Sequence, residues 1–397
     1  MNNVISEERI PIKLWLDDLE EGALEQAKIL ANLPFAFKYI AIMPDGHLGY
    51  GMPIGGVLAT KGVVIPNAVG VDIGCGMCAV KTSLKNIDRE VLKKIMGEIR
   101  KVIPVGFKKH KEAQQNPKGL SMKGFVDYSI CEINFDNAML SLGTLGGGNH
   151  FIEIQKGNDG HIWIMIHSGS RNLGKQVADY YNKVAKKLNE KWFSSVNPKH
   201  DLAFLPLDSD EGKAYLKEMQ YCVDYALENR KLMMSRIQNI FANEFDGNDN
   251  GERISLIGFD EIINIAHNYA RMENHFGQNV MIHRKGATLA TEKTIGIIPG
   301  SQGAKSYIVK GKGNADSFNS CSHGAGRTMS RKKAKEELNL EEEVAKLEEM
   351  EVLHTLRSKK NLDEAPACYK DIAVVMENQK DLVEMLVTLE PLAVIKG

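Results

Sequence analysis

The sequence predicts an α+β protein, a single large domain over residues 1–397 with mixed sheets and a helical excursion at 174–243. Three observations carry this reading. Residues 38–82 alternate short apolar pieces with Gly and Pro, the punctuation of strands and turns. Residues 174–243 repeat apolar positions at helical spacing over two long tracts. The side chains best suited to chemistry are scattered from Asp72 to His323, so one site has to draw on nearly the whole chain.

Element by element, Val57–Ala59 and Val63–Ile65 are strand pieces, and residues 85–115, rich in Lys, Glu and Ile, read as helical. Ile162–Ile166 is a short apolar strand ending at His167. The excursion holds QVADYYNKVAKKLNEKW and EGKAYLKEMQYCVDYALENRKLMMSRIQNIF, separated by a loop. Strand patterns return at 279–310, and Ser330–Leu356 reads as one charged helix. No internal repeat or low-complexity segment interrupts the chain.

Hydrophobic content of 43% and charged content of 25% are those of a soluble globular protein. No apolar run approaches the roughly 18 residues that cross a bilayer, and MNNVISEERIPIKLW lacks the order of a signal peptide, so no membrane association and a cytoplasmic location are expected. A net charge of −1 leaves any attraction for a polyanion to local patches. Six cysteines scattered along the chain argue against a disulfide framework. Cys75 and Cys78 form a single CxxC, which leaves a four-cysteine zinc site without its second half.

Six side chains stand in turn-like contexts flanked by Gly, Asn or Ser: Asp72, Cys75, His150, His167, His267 and His323. Gly74 and Gly76 free the backbone so that Asp72 and Cys75 can face one point, where they either hold a divalent cation or leave a buried, inert thiol on a strand–turn. His150 lies in GGGNHFIE, whose glycines offer amides to a polar ligand. His167 opens HSGSR, and His267 opens HNYAR on or near a helix. His323 precedes Gly-Ala-Gly-Arg. It is either a nucleophile towards phosphorus or a cap on a glycine-rich helix start. Pro299–Ser306 is a second glycine-rich loop, without the spacing of a Walker A motif. Arg171, Arg284, Lys285 and Arg327 neighbour these motifs and are expected to form a local basic surface.

VGVDIGCGM, GGGNHFIE, IHSGSR, AHNYA, HRKGA, PGSxGAxSY, HGAGR and a late YKDI, in this order, resemble the RtcB family of RNA ligases over roughly residues 40–375. The resemblance implies mixed sheets around a two-metal centre and a GTP- and Mn2+-dependent ligase. Such an enzyme joins RNA 3′-phosphate or 2′,3′-cyclic-phosphate ends to 5′-hydroxyl ends in RNA repair or tRNA splicing. It further implies two Mn2+ per chain, one on Asp72, Cys75 and His150 and one on Cys75, His167 and His267. His323 matches the guanylylated histidine. Asn149, His150, Phe151, Ile152, Glu153, His267, Asn268, Pro299, Gly300, Ser301, Gln302, Ser306, His323, Gly324, Ala325, Gly326 and Lys370 match nucleotide-binding positions. Gln302 stands where a methionine is commoner. The manganese assignment comes from the resemblance alone, since thiolate and imidazole donors favour zinc by intrinsic affinity. The competing readings are a metal-dependent phosphoesterase acting on RNA termini and a non-catalytic RNA-end-binding protein.

Overall fold

Two sheets organise the chain in a computed structural model that describes residues 1–122, 125, 129–249, 252–254 and 256–397. The first has six strands in the order Asn3–Ile5, Ile12–Leu14, Ala36–His47, Ile54–Thr60, Gln278–Lys285 and Asn268–His275. The second has seven, in the order Ile263–Ala266, Gly76–Lys81, Ile162–Ser168, Phe151–Gly157, Val383–Lys396, Ser306–Gly311 and Ile295–Ile298. Every pairing in the second sheet is antiparallel, and the first contains one parallel pair, Ile12–Leu14 with Ala36–His47. The expected α+β class holds.

The central strands of the second sheet are buried on both faces. Ile152, Ile154, Ile164, Ile166, Cys78 and Val80 pack beneath helices Arg89–Val102 and Asp210–Phe245, while Met77, Ala79, Trp163 and Met165 fill the opposite face. Burying each large apolar side chain contributes about 1.5–3 kcal/mol, which explains why these strands read as unbroken apolar runs. The excursion consists of helices Arg171–Lys191 and Asp210–Phe245. The second starts at Ser209, whose hydroxyl accepts from Gly212 N at 3.0 Å, with Asp210 and Glu211 favoured at the positive end of the helix dipole.

Two expectations need correction. The helix within 85–115 is shorter, Arg89–Val102, capped by Asp88 and stopped just before Pro104, which disfavours helical backbone at the preceding residue. The tract 330–356 is two short helices, Arg331–Glu337 and Leu340–Glu349, with Asn339 restarting the second by accepting from Glu341 N and Glu342 N. Among the described residues no helix is long and apolar enough to cross a membrane.

Candidate metal centre and adjoining cavity

Strand register gathers the candidate ligands at one end of the second sheet. Gly76 pairs with Ser168 and Phe151 with His167, so Cys75 and His150, each one residue before its strand, flank His167. Ala266 pairs with Gly76, and the chain then crosses through His267 into Asn268–His275 of the first sheet. His267 is therefore not on a helix, as its context predicted, but on the crossing between the two sheets. A Cβ at Gly76 would lie 2.2 Å from Ile265 O, so only glycine lets that edge strand close in and bring His267 beside Cys75.

The donor atoms converge. Cys75 Sγ lies 3.4 Å from His150 Nε2 and 3.2 Å from His167 Nε2. His150 Nε2 is 3.3 Å from Asp72 Oδ2, and His167 Nε2 is 3.4 Å from His267 Nε2. Asp72, Cys75 and His150 form one group that could hold a cation, and Cys75, His167 and His267 a second, sharing the thiol. The far ring nitrogens are already engaged: His167 Nδ1–H donates to Asn149 O at 3.1 Å, and His150 Nδ1 lies 3.0 Å from Leu145 O and 3.1 Å from the Arg171 guanidinium. Each Nε2 thereby faces the centre, the orientation that metal-ligating histidines adopt. Burial holds His167 and His267 well below the ordinary histidine value, hence neutral. Burial and the neighbouring Asp72 push the Cys75 thiol up, so a thiolate there needs a cation beside it. On these grounds the residues fit divalent cations.

The long helix braces the centre from behind, which nothing in the sequence pattern indicated. Arg230, fully buried, donates to Gly74 O at 3.0 Å, Ser168 O at 2.7 Å and Asn264 Oδ1 at 2.7 Å. Asn229 accepts from Gly143 N at 2.7 Å and donates to Gly169 O at 3.3 Å. Both residues fasten the loops that carry Cys75, His150 and His167.

His323 packs beside the centre, its ring centroid 4.7 Å from that of His267. Its Nδ1–H donates to Asp45 Oδ2 at 2.6 Å, and the same oxygen accepts from His323 N at 3.0 Å and Gly324 N at 3.3 Å. A fully buried carboxylate thus orients the ring and leaves Nε2 with its lone pair free. Gly326, at φ +74°, permits this approach, because a Cβ there would sit 2.3 Å from Asp45 O. The sequence motifs leave out Asp45 and His47, although Pro44-Asp45-Gly46-His47 has the same glycine-flanked character as the segments singled out.

A cavity of about 490 Å³ opens from this point, within the range of roughly 300–1,000 Å³ typical of small-ligand sites. Asn149, Phe151, Glu153, Pro299, Gly300, Ser301, Gln302, His323, Gly324, Ala325 and Gly326 line it, together with His47, Arg327, Arg331, Tyr369 and Lys396. His150 and His267 belong to the donor cluster, and four further expected residues lie outside the cavity wall. The Ile152 side chain points into the core of the second sheet. Asn268 uses its amide on Gly286 N and Asp72 O, pinning the Asp72 turn. Ser306 Oγ accepts from Gly300 N at 3.2 Å behind the wall, and Lys370 pairs with Asp18 at 3.3 Å. Gln302 donates to Glu364 O at 2.6 Å. Glu364 itself gathers Arg327, Arg331 and Lys396 at the cavity edge.

Burial pushes Glu153 up to about 8, against the lowering pull of Lys396 and the hydrogen bond from Gln155. A carboxyl that holds its proton more tightly folded than unfolded makes the protein less stable as pH rises from 4.5 to about 8. Glu153→Gln is therefore expected to raise Tm relative to the native chain by an amount that grows across that window. A pH-independent difference in thermal melts would refute it.

The expected basic surface is only half present. Arg284 is fully buried in the first sheet, paired with Glu273 at 2.5 Å and donating to Phe318 O at 2.9 Å. Lys285 is buried too. It donates to Tyr50 O and Asn67 O, and desolvation lowers it to about 7. Alternation along Gln278–Lys285 cannot show that both faces of that strand are covered. Arg284→Ala is expected to cost about 3–5 kcal/mol in denaturant unfolding, because it strands the Glu273 carboxylate. A loss under 1 kcal/mol in that measurement would be inconsistent with a buried pair (about the value of an exposed one).

Two donor triads sharing one thiol, with an oriented imidazole at the wall of a ligand-sized cavity, are the layout of an enzyme. Comparison with known proteins gives its class. The family described as tRNA-splicing ligase RtcB matches residues 26–128 and 126–397. The RNA-splicing ligase RtcB of Escherichia coli K12 is 39% identical, over 99% of this chain and 99% of its own. The tRNA-splicing ligases RtcB of Nanoarchaeum equitans and Methanococcus maripaludis are 32% and 33% identical, each over 98% of this chain and 95% of theirs. The chain belongs to the RtcB ligase family.

Proposed function

We propose that the protein joins RNA bearing a 3′-phosphate or 2′,3′-cyclic phosphate to RNA with a 5′-hydroxyl, consuming GTP, and that residues 1–397 act as one ligase domain in RNA repair or tRNA splicing in the cytoplasm. The observation that carries this reading is His323. Its Nδ1–H is held by Asp45 while Nε2 stands free beside the donor cluster and the cavity. A hydrolase acting on RNA termini would need the cations but not a histidine prepared for covalent attack.

Asp72, Cys75 and His150 would hold one divalent cation and Cys75, His167 and His267 another, Mn2+ by family resemblance. Bound there, such cations supply positive charge to a triphosphate and to phosphorus under attack. His323 Nε2 forms a bond to the α-phosphorus of GTP as the bond to pyrophosphate breaks. An oxygen of the RNA 3′-phosphate then displaces the histidine, giving an RNA(3′)pp(5′)G end. The 5′-hydroxyl attacks the RNA phosphorus of that end, loses its proton and expels GMP. A cyclic phosphate is first hydrolysed to a 3′-phosphate.

Glu153, on the cavity wall, gives up its proton on binding guanine and presents a carboxylate to the N1–H and amino group, donors that adenine does not present in that pattern. Arg327, Arg331 and Lys396 bring positive charge to the same cavity. Incubating the protein with a 3′-phosphate RNA, a 5′-hydroxyl RNA, GTP and Mn2+ is expected to give a joined product and GMP. Release of inorganic phosphate from the RNA end without joining would favour the phosphoesterase instead.

A further inference from the structure

We infer that the loop Phe107–Lys111 is a landing surface for single-stranded RNA, an inference that rests on the RNA-joining activity proposed above. Phe107 stands wholly in solvent, at 104% relative exposure, and Lys108, Lys109 and Lys111 are exposed beside it. Lys109 is engaged by the Asn137 side chain, and none of the three lysines has a carboxylate partner among the described residues. An aromatic ring presented to water within an uncompensated basic run matches what single-stranded nucleic acid requires: a face for a base to stack on and cations for its phosphates.

Position supports the assignment. Leu145 N donates to Pro104 O at 3.0 Å and Gly106 N to Gly146 O at 2.7 Å, while His110 N donates to Leu140 O at 3.0 Å on the other side. The loop is thus held at both ends, and its anchor is the segment whose Leu145 carbonyl orients His150. Gly106 lies against Gly147, the Arg171 guanidinium against Gly146 and that of Arg331 against Gly148. A strand running over the triple glycine would therefore meet Arg171 and Arg331 at its phosphates, and Phe107 at a base beyond. Stacking on a phenyl ring tolerates any base, which suits an enzyme that meets ends of differing sequence.

The test uses the full chain and a short fluorescent oligouridylate bearing a 3′-phosphate, with affinity followed by anisotropy in the absence of GTP. Phe107→Ala is expected to weaken binding by about 5- to 100-fold, and Phe107→Trp to preserve it. A Lys108→Ala/Lys111→Ala double variant is expected to flatten the dependence of log K on log salt by about 0.7 for each phosphate no longer neutralised. Covalent labelling by GTP without RNA should be unchanged in all three variants, so a native protein that takes no label would defeat the proposed reaction, whereas the affinities judge the landing surface separately. An unchanged affinity in Phe107→Ala overturns the inference. So does a Phe107→Ala chain that binds RNA normally but no longer binds phosphatidylserine vesicles, which would assign the loop to a membrane surface.

Discussion

His323→Ala is expected to abolish covalent labelling of the protein by GTP while leaving the fold intact. The ring lies partly exposed at the cavity wall, and the backbone amides of His323 and Gly324 still reach the buried Asp45 carboxylate without it, so the loss of the ring lowers stability without unfolding the chain. Asp45→Asn provides the sharper control. The Asp45 carboxylate accepts the Nδ1 proton at 2.6 Å and thereby keeps the ring lone pair on Nε2. An amide presenting its NH2 to the ring would favour the opposite tautomer and is expected to slow labelling by roughly 10²–10⁴-fold, with GTP affinity little changed. Acid-labile label retained by His323→Ala would show that another residue is the nucleophile.

Cys75→Ala carries the second large effect. One sulfur serves both donor triads, so its loss leaves Asp72 with His150 and His167 with His267, two protein ligands for each cation. Metal content by mass spectrometry is expected to fall at both positions, and RNA joining with it. Cys78→Ala is expected to retain metal and activity. Its thiol points into the core among Ile95, Ile152 and Ile166, where burial pushes it up to about 12. That substitution should cost on the order of 1 kcal/mol of stability through the small cavity it leaves. Equal metal loss in the two variants would favour a site built on the CxxC pair.

The ligand candidates are legible in the sequence because metal and phosphate chemistry leaves a local signature. Asp72, Cys75, His150, His167 and His323 each sit within two residues of a glycine, where a turn lets backbone and side chain approach a ligand together. The same signature is harder to see at Asp45, which lies at the end of an apolar strand and resembles ordinary turn punctuation. Arg284 and Lys285 mislead for a different reason. A basic pair in a strand gives no sign of whether solvent or a second layer covers it, and here both are buried.

By itself the sequence determined the class of fold, the strongly periodic helices and the chemical identity of the donors, all of which depend on near neighbours along the chain. Only the tertiary structure decided which donors converge, since that follows from strand register: Gly76 beside Ser168 and Ala266, Phe151 beside His167. It also decided that the excursion helix braces the centre through Arg230, and that Asp45, 278 residues from His323, sets its tautomer. Contacts of that separation form only once two sheets are packed, because burial then makes every polar group find a partner wherever the fold provides one.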